Sequence, residues 1–135
     1  MSLSSVNKSH RSLSVLVADD DEFIQHATVI MLKNLGHSGA MVDDGAKALA
    51  CLAQRRFDVV LLDVMMPVMD GLEVLAAIRR QERGTDQHQR IIMATGHAEP
   101  NDMARLSQAG ADGYVAKPID IERLQAELCR VAALK

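Results

Sequence analysis

Aromatic residues are nearly absent from this chain: Phe23, Phe57 and Tyr114 make up 2% of 135 residues, and there is no tryptophan. So few rings argue against a base-stacking surface for nucleic acid. They also require an aliphatic core, in which eight methionines serve as adaptable filler. An excess of basic charge is missing too. The formal net charge is -3, which provides no electrostatic footprint for a phosphate backbone, so no direct nucleic-acid partner is expected. Cysteine is scarce: Cys51 and Cys129 each sit inside an apparent helix, lack metal-ligand spacing, and read as free, buried or half-buried thiols. No apolar run approaches the roughly 20 residues that span a bilayer, and no secretory h-region opens the chain. The expectation is a cytoplasmic protein without membrane contact.

What is present is the balance of a globular domain, with 48% hydrophobic and 24% charged residues in a length suited to one core. Residues 1–12 are polar, Ser-rich and aperiodic, and read as a flexible lead-in to a domain over 13–135. Lys8, His10 and Arg11 read there as part of a solvated tail. Val59-Val60-Leu61-Leu62 is apolar without alternation, the pattern of a strand buried on both faces. Similar short runs lie at Leu13 to Ala18, Ala40 to Val42, Ile91 to Ala94 and Gly113 to Ala116, with the central strand running from Phe57 to Leu62. Between them lie helical patterns. The first carries Phe23, Ile24, Ala27, Ile30, Met31 and Leu35 as its apolar stripe and stops at Gly36. The others start near Gly45, Leu72, Pro100 and Asp120. Five strands alternating with five helices predict an α/β fold with a parallel sheet covered on both faces.

Polar groups follow the strands in a consistent way. The first strand runs into Asp19 and Asp20, the central one into Asp63, the fourth into Thr95 and the fifth into Lys117. In a parallel sheet those ends share one edge, where the chemistry of open α/β sheets collects. Clustered acids repel unless a cation sits among them. Mg2+ fits, because it takes oxygen ligands and commonly joins carboxylates to a phosphate. Lys117 and Thr95 suit phosphoryl oxygens, and Asp63 suits the part of a carboxylate nucleophile.

Four motifs carry a family resemblance: Val17-Ala18-Asp19-Asp20, then Asp63-Val64-Met65-Met66-Pro67-Val68-Met69-Asp70-Gly71, then Ala94-Thr95-Gly96, then Tyr114-Val115-Ala116-Lys117-Pro118. From Leu13 onward the chain resembles the response-regulator receiver domains of two-component phosphorelays, chemotaxis regulators among them. The resemblance implies a flavodoxin-like, doubly wound five-stranded sheet in the order 2-1-3-4-5 with five flanking helices. It implies Asp63 as phosphoacceptor from a phosphohistidine, borne by a sensor histidine kinase or a histidine phosphotransfer protein. Asp19, Asp20, Asp63 and the Met65 backbone carbonyl would hold Mg2+, and Thr95 and Lys117 would bind the phosphoryl oxygens. Thr95 and Tyr114 would carry the switch to the face of the fourth helix, fifth strand and fifth helix, read by a downstream output domain or protein. The Lys117-Pro118 bond would be cis. Met65, Gly96, His97 and Arg90 depart from the commonest family pattern without removing a chemical group, and leave the phosphoryl lifetime open.

Taken singly, these residues have plainer readings. Asp19 to Glu22 can be a helix N-terminus, Lys117 a solvated lysine, Thr95 a strand end and Tyr114 a core ring. Asp43, Asp44 and Asp70 read as turn and cap residues, and Met65, Met66 and Met69 as packing. His10, His26, His37 and His88 have no ligand spacing and read as surface or satisfied groups. Two rival functions remain: a docking scaffold that is never phosphorylated, and a phosphatase with an aspartyl nucleophile. The second usually needs an acid two places after the nucleophile, where this chain has Met65. A flavin carrier of the same architecture would need a phosphate-cradling loop and rings that the chain lacks. The protein is therefore expected to be a signalling receiver, not an enzyme, either standing alone or as part of a hybrid kinase or longer regulator.

Overall fold

The computed structural model describes residues 12–96 and 99–134. The expected lead-in, apart from Ser12, and His97 lie outside the described residues. The elements alternate as β1 (Ser14–Ala18), α1 (Glu22–Asn34), β2 (Ser38–Val42), α2 (Gly45–Gln54), β3 (Val59–Asp63), α3 (Gly71–Glu82), β4 (Arg90–Thr95), α4 (Pro100–Gln108), β5 (Gly113–Ala116) and α5 (Ile121–Ala132). The strands form one parallel sheet in the order β2-β1-β3-β4-β5. This is the flavodoxin-like arrangement that the family resemblance implied.

The unalternating strand runs follow from burial on two faces. Val15, Val17, Val59, Leu61, Ile92 and Ala94 pack with Val29 and Leu32 of α1 and with Leu124, Leu128 and Val131 of α5. Their sequence neighbours Leu16, Val60, Leu62, Ile91 and Met93 face the other way, against Ala48 of α2, Val74, Leu75 and Ile78 of α3 and Leu106 of α4. All five residues of β3 are buried, so the central strand sits in the middle of both cores.

Helix ends behave as their residues dictate. Asp21, Asp44, Asp70 and Asp120 each accept a hydrogen bond from a backbone N–H in the first turn of the helix they precede, and Asp70 completes a capping box with Glu73. Gly36 stops α1 with φ of +89°, a conformation that costs other residues but not glycine. Cys51 and Cys129 are half-buried and form no disulfide among the described residues. His37 is buried and satisfied: its Nδ1 accepts from the Leu13 N–H at 3.0 Å, and its Nε2 lies 3.0 Å from Gln125 Oε1, joining the start of β1 to α5.

Three expectations need correction. The second strand begins at Ser38, not Ala40, because the edge of β1 pairs backbone to backbone and accepts a polar residue there: Ser14 lies opposite Ser38. Phe57 lies before β3 and is buried among the side chains under α2 and α3. The stripe expected on α1 is rotated. Phe23 and Ile30 are 82% and 59% exposed, and the buried positions are Gln25, Thr28, Val29 and Leu32.

Candidate functional site

The sheet register brings the strand ends level with one another. Ala18 lies opposite Leu62, Asp63 opposite Ala94, and Thr95 opposite Ala116. Asp19, Asp63, Thr95 and Lys117 therefore leave the sheet within about two residues of the same height. Asp19, Asp63 and Thr95 are buried, at 4%, 4% and 5% exposure, while Asp20 is exposed. A buried polar group at the end of an apolar strand is costly unless it is bonded. Here each carboxylate has its partners.

Lys117 Nζ bridges the two buried acids, 3.1 Å from Asp19 Oδ2 and 2.9 Å from Asp63 Oδ2. The remaining oxygens are held by the chain itself: Asp63 Oδ1 accepts from the Met65 N–H at 3.2 Å, and Asp19 Oδ1 from the Asp21 N–H at 2.9 Å. Carboxylate oxygens of Asp19, Asp20 and Asp63 lie within 4.8 Å of one another. Three carboxylates and one ammonium leave two negative charges, all on hard oxygen donors, with one acid facing solvent. That donor set suits a divalent cation such as Mg2+, which binds through a few carboxylates and keeps several waters. Softer metals prefer nitrogen or sulfur ligands; no cluster of three potential ligands that includes His or Cys occurs among the described residues.

Burial pushes the Asp63 carboxyl above its ordinary value, and the neighbouring Asp19 charge adds to this, against the pull of Lys117 and the Met65 amide. Burial works against the Lys117 ammonium as well, but its two carboxylate partners outweigh it and hold its pKa above the ordinary value.

The loop after Asp63 is shaped around that residue. Its Val64 N–H donates to the Ala94 carbonyl at 3.0 Å, and the Gly71 N–H donates back to Val64 at 2.9 Å. Gly71 has to be glycine for a steric reason, since a Cβ there would overlap the Asp63 carbonyl oxygen. Val68 stands in the left-handed region at φ of 68° and is 83% exposed, an unfavourable place for a β-branched residue. Met65 turns its side chain to solvent, whereas Met66 is buried in the core beside α3.

Of the residues singled out in the sequence, Asp19, Asp20, Asp63 and Lys117 form the cluster. Thr95 is buried level with it, and its carbonyl accepts from the Lys117 N–H at 2.8 Å. Tyr114 stands apart: it lies opposite Met93 on the outer strand, is 39% exposed, and its N–H donates to Glu127 of α5 at 2.9 Å. One buried neighbour escapes sequence reasoning. Gln25 of α1 donates its side-chain amide to the Asp19 carbonyl and to the Val42 carbonyl, the latter at 2.8 Å. The only signal for it is that Gln25 shares a helix face with Thr28 and Leu32, and a polar pair hides that face.

Residues 15–129 match the family model of the response regulator receiver domain. This chain belongs to that family. Its curated relatives include the sensor histidine kinase AruS of Pseudomonas aeruginosa, 35% identical over 120 residues that make up 89% of this chain and 12% of that protein. Another is the response regulator MprA of Mycobacterium tuberculosis, 38% identical across 87% of this chain and 49% of that protein. This receiver thus spans about half, or far less, of the length of those relatives. Among solved structures, the chemotaxis response regulator CheY4 of Vibrio cholerae superposes with a TM-score of 0.78 at 34% identity, over 90% of this chain and 99% of that one. The receiver domain of a Pseudomonas aeruginosa sensor histidine kinase reaches 0.80 at 32% identity, over 92% of this chain and all (100%) of that one, and it holds a magnesium ion in its active-site cleft. The family is a signalling module of two-component systems, and this receiver contains no helix long and apolar enough to cross a membrane among the described residues.

Proposed function

We propose that this receiver takes a phosphoryl group from a phosphohistidine, on a sensor histidine kinase or a histidine phosphotransfer protein, onto Asp63. The observation that carries the reading is the placement of Asp63, buried at the carboxyl end of the central strand between a lysine and two further acids. An Asp63 oxygen attacks phosphorus, the new O–P bond replaces the P–N bond, and the departing imidazole nitrogen keeps the bonding pair. Lys117 Nζ, already within 2.9 Å of Asp63, shifts its hydrogen bonding to the phosphoryl oxygens, and Thr95 donates a further hydrogen bond to them. Asp19, Asp20 and Asp63, with the Met65 carbonyl, would hold Mg2+. The ion supplies charge neutralisation that lets an anionic carboxylate meet an anionic phosphoryl group.

Phosphorylation adds dense negative charge to a closed pocket. Thr95 and Tyr114 follow it, and the face of α4, β5 and α5 changes for a downstream output domain or protein. The receiver promotes its own phosphotransfer and autodephosphorylation in the cytoplasm and does not turn over an external substrate. It is the unit over 13–135, behind the lead-in of 1–12. The apolar Met65 in the place of a second catalytic acid supports this reading over a phosphatase.

Intact-mass spectrometry after incubation with acetyl phosphate tests the proposal. A Mg2+-dependent gain of one phosphoryl group, lost in Asp63→Asn, is the expected result. No gain with the fold intact and Mg2+ bound would favour a docking scaffold, and a gain that persists in the variant would move the acceptor elsewhere.

A further inference from the structure

Asp20 is the exposed acid of the cluster, and its carboxylate is placed by the backbone that carries it. That backbone is tied down at one peptide. The carbonyl of the Asp19–Asp20 peptide accepts from the Gln25 side-chain amide, whose nitrogen also donates to the Val42 carbonyl at 2.8 Å. Val42 in turn accepts from the Asp19 N–H at 3.2 Å. Both acceptors of the amide are carbonyl oxygens, which fixes its orientation with nitrogen toward them. At 6% exposure, Gln25 sits where water does not compete for these bonds.

We infer that Gln25 is a positioning residue for the acidic cluster: its amide clamps the carboxyl ends of β1 and β2 and thereby sets where Asp20 meets Asp19 and Asp63. The inference rests on the reading of that cluster as a Mg2+ site. Its structural basis is independent of the ammonium bridge, since Lys117 reaches Asp19 and Asp63 from the opposite side of the sheet order and makes no ion pair with Asp20 among the described residues. The Asp19 N–H also joins the two strand ends through Val42, but no other group of the turn serves the Asp19 carbonyl. The Asp21 N–H is committed to Asp19 Oδ1, the Asp21 carboxylate caps α1 by accepting from Ile24, and the Gln25 backbone N–H is committed to the Asp21 carbonyl. Groups that orient the residues of a metal site typically tune affinity by an order of magnitude or more.

The test is Gln25→Met, which keeps the length and bulk of the side chain and removes its donors. The 15N-labelled protein is titrated with Mg2+ alone and followed by amide chemical shifts, so that no phosphoryl donor is needed. The expected result has two parts. Before Mg2+ is added, the largest shift changes fall on the amides of Asp20 and Asp19. In the titration, Mg2+ affinity falls about tenfold. Leu128→Ala, a buried position on α5, is the control for lost stability, and it should bind Mg2+ as the parent does. Parent-like affinity and unmoved Asp19 and Asp20 amides in Gln25→Met would overturn the inference and leave the metal reading standing. Equal weakening by Leu128→Ala would overturn it as well, by making the loss a matter of stability. A parent that does not bind Mg2+ would overturn the metal reading first and the inference with it.

Discussion

Replacing Lys117 by methionine keeps a chain of similar length in the cleft but removes the cation that both buried acids touch, at 3.1 and 2.9 Å. Oxygens of Asp19 and Asp63 lie within 4.8 Å of each other, where two unit charges repel by about 3.5 kcal/mol at an effective dielectric near ~20. Removing one partner of a fully buried pair costs about 3–5 kcal/mol. Lys117 keeps 22% of its side chain in contact with solvent, and one carboxyl can relieve the strain by taking a proton, so a loss of about 2–3 kcal/mol at pH 7 is expected. The pH dependence has a definite sign. Asp63 already has a folded pKa above its ordinary 3.8, and without the ammonium it rises further. A carboxyl raised in the native state binds an extra proton there, so stability falls as pH rises through the window above 3.8. In the parent, Lys117 is raised above its ordinary 10.5, so its contribution is intact at neutral pH and is lost only as pH rises through the folded value. Urea unfolding of parent and variant at neutral and at mildly acidic pH measures the difference. It should be largest at pH 7 and shrink on acidification. A loss below about 0.5 kcal/mol, the size of an ordinary surface change, would refute the reasoning. So would a loss that does not change with pH.

Two further outcomes follow from other contacts. Gly71→Ala should destabilise the protein by about 1–3 kcal/mol in denaturant unfolding, because the new Cβ overlaps the Asp63 carbonyl oxygen, a backbone atom that cannot swing aside; unchanged stability would mean that the loop moves freely. Burial raises the Glu127 carboxyl, but the Arg130 guanidinium and the Tyr114 N–H overcome this and hold it below its ordinary 4.5. Its contribution is therefore complete above about that pH and fades as pH falls through the lower folded value. Glu127→Gln should thus be less stable than the parent at pH 7, by no more than about 1 kcal/mol, with the gap closing under acid in parallel melts.

Sequence reasoning reached far at the level of the sheet. Strand segments buried on both faces need apolar residues at every position, and Val59 to Leu62 of β3 and Ile91 to Ala94 of β4 have them. Short loops between alternating strands and helices then leave little freedom of topology. The order 2-1-3-4-5 came from the resemblance, and the structure has it. Asp19, Asp63, Thr95 and Lys117 were legible as a group because parallel strands put all their carboxyl ends on one edge, so position in sequence already implied position in space.

The face of α1 was not legible. Phe23 and Ile30 have the side chains of core residues and stand in solvent, while Gln25 and Thr28 are buried. An amphipathic period gives the repeat of a stripe, but the angle at which a helix rests on a sheet is set by what lies beneath it. Here Val29 and Leu32 are drawn onto β1 and β2, and Thr28 is satisfied inside the helix by the Ile24 carbonyl at 2.8 Å. That rotation brings Gln25 over the two strand ends, where a polar side chain is tolerated only because two carbonyls await it. The bridge from Lys117 to both acids belongs to the same level. The chain itself fixed which groups reach the edge of the sheet, because periodicity and strand direction are local properties. Which oxygen each nitrogen meets was decided only when helices and strands were packed, because those contacts join residues as far apart as 19 and 117.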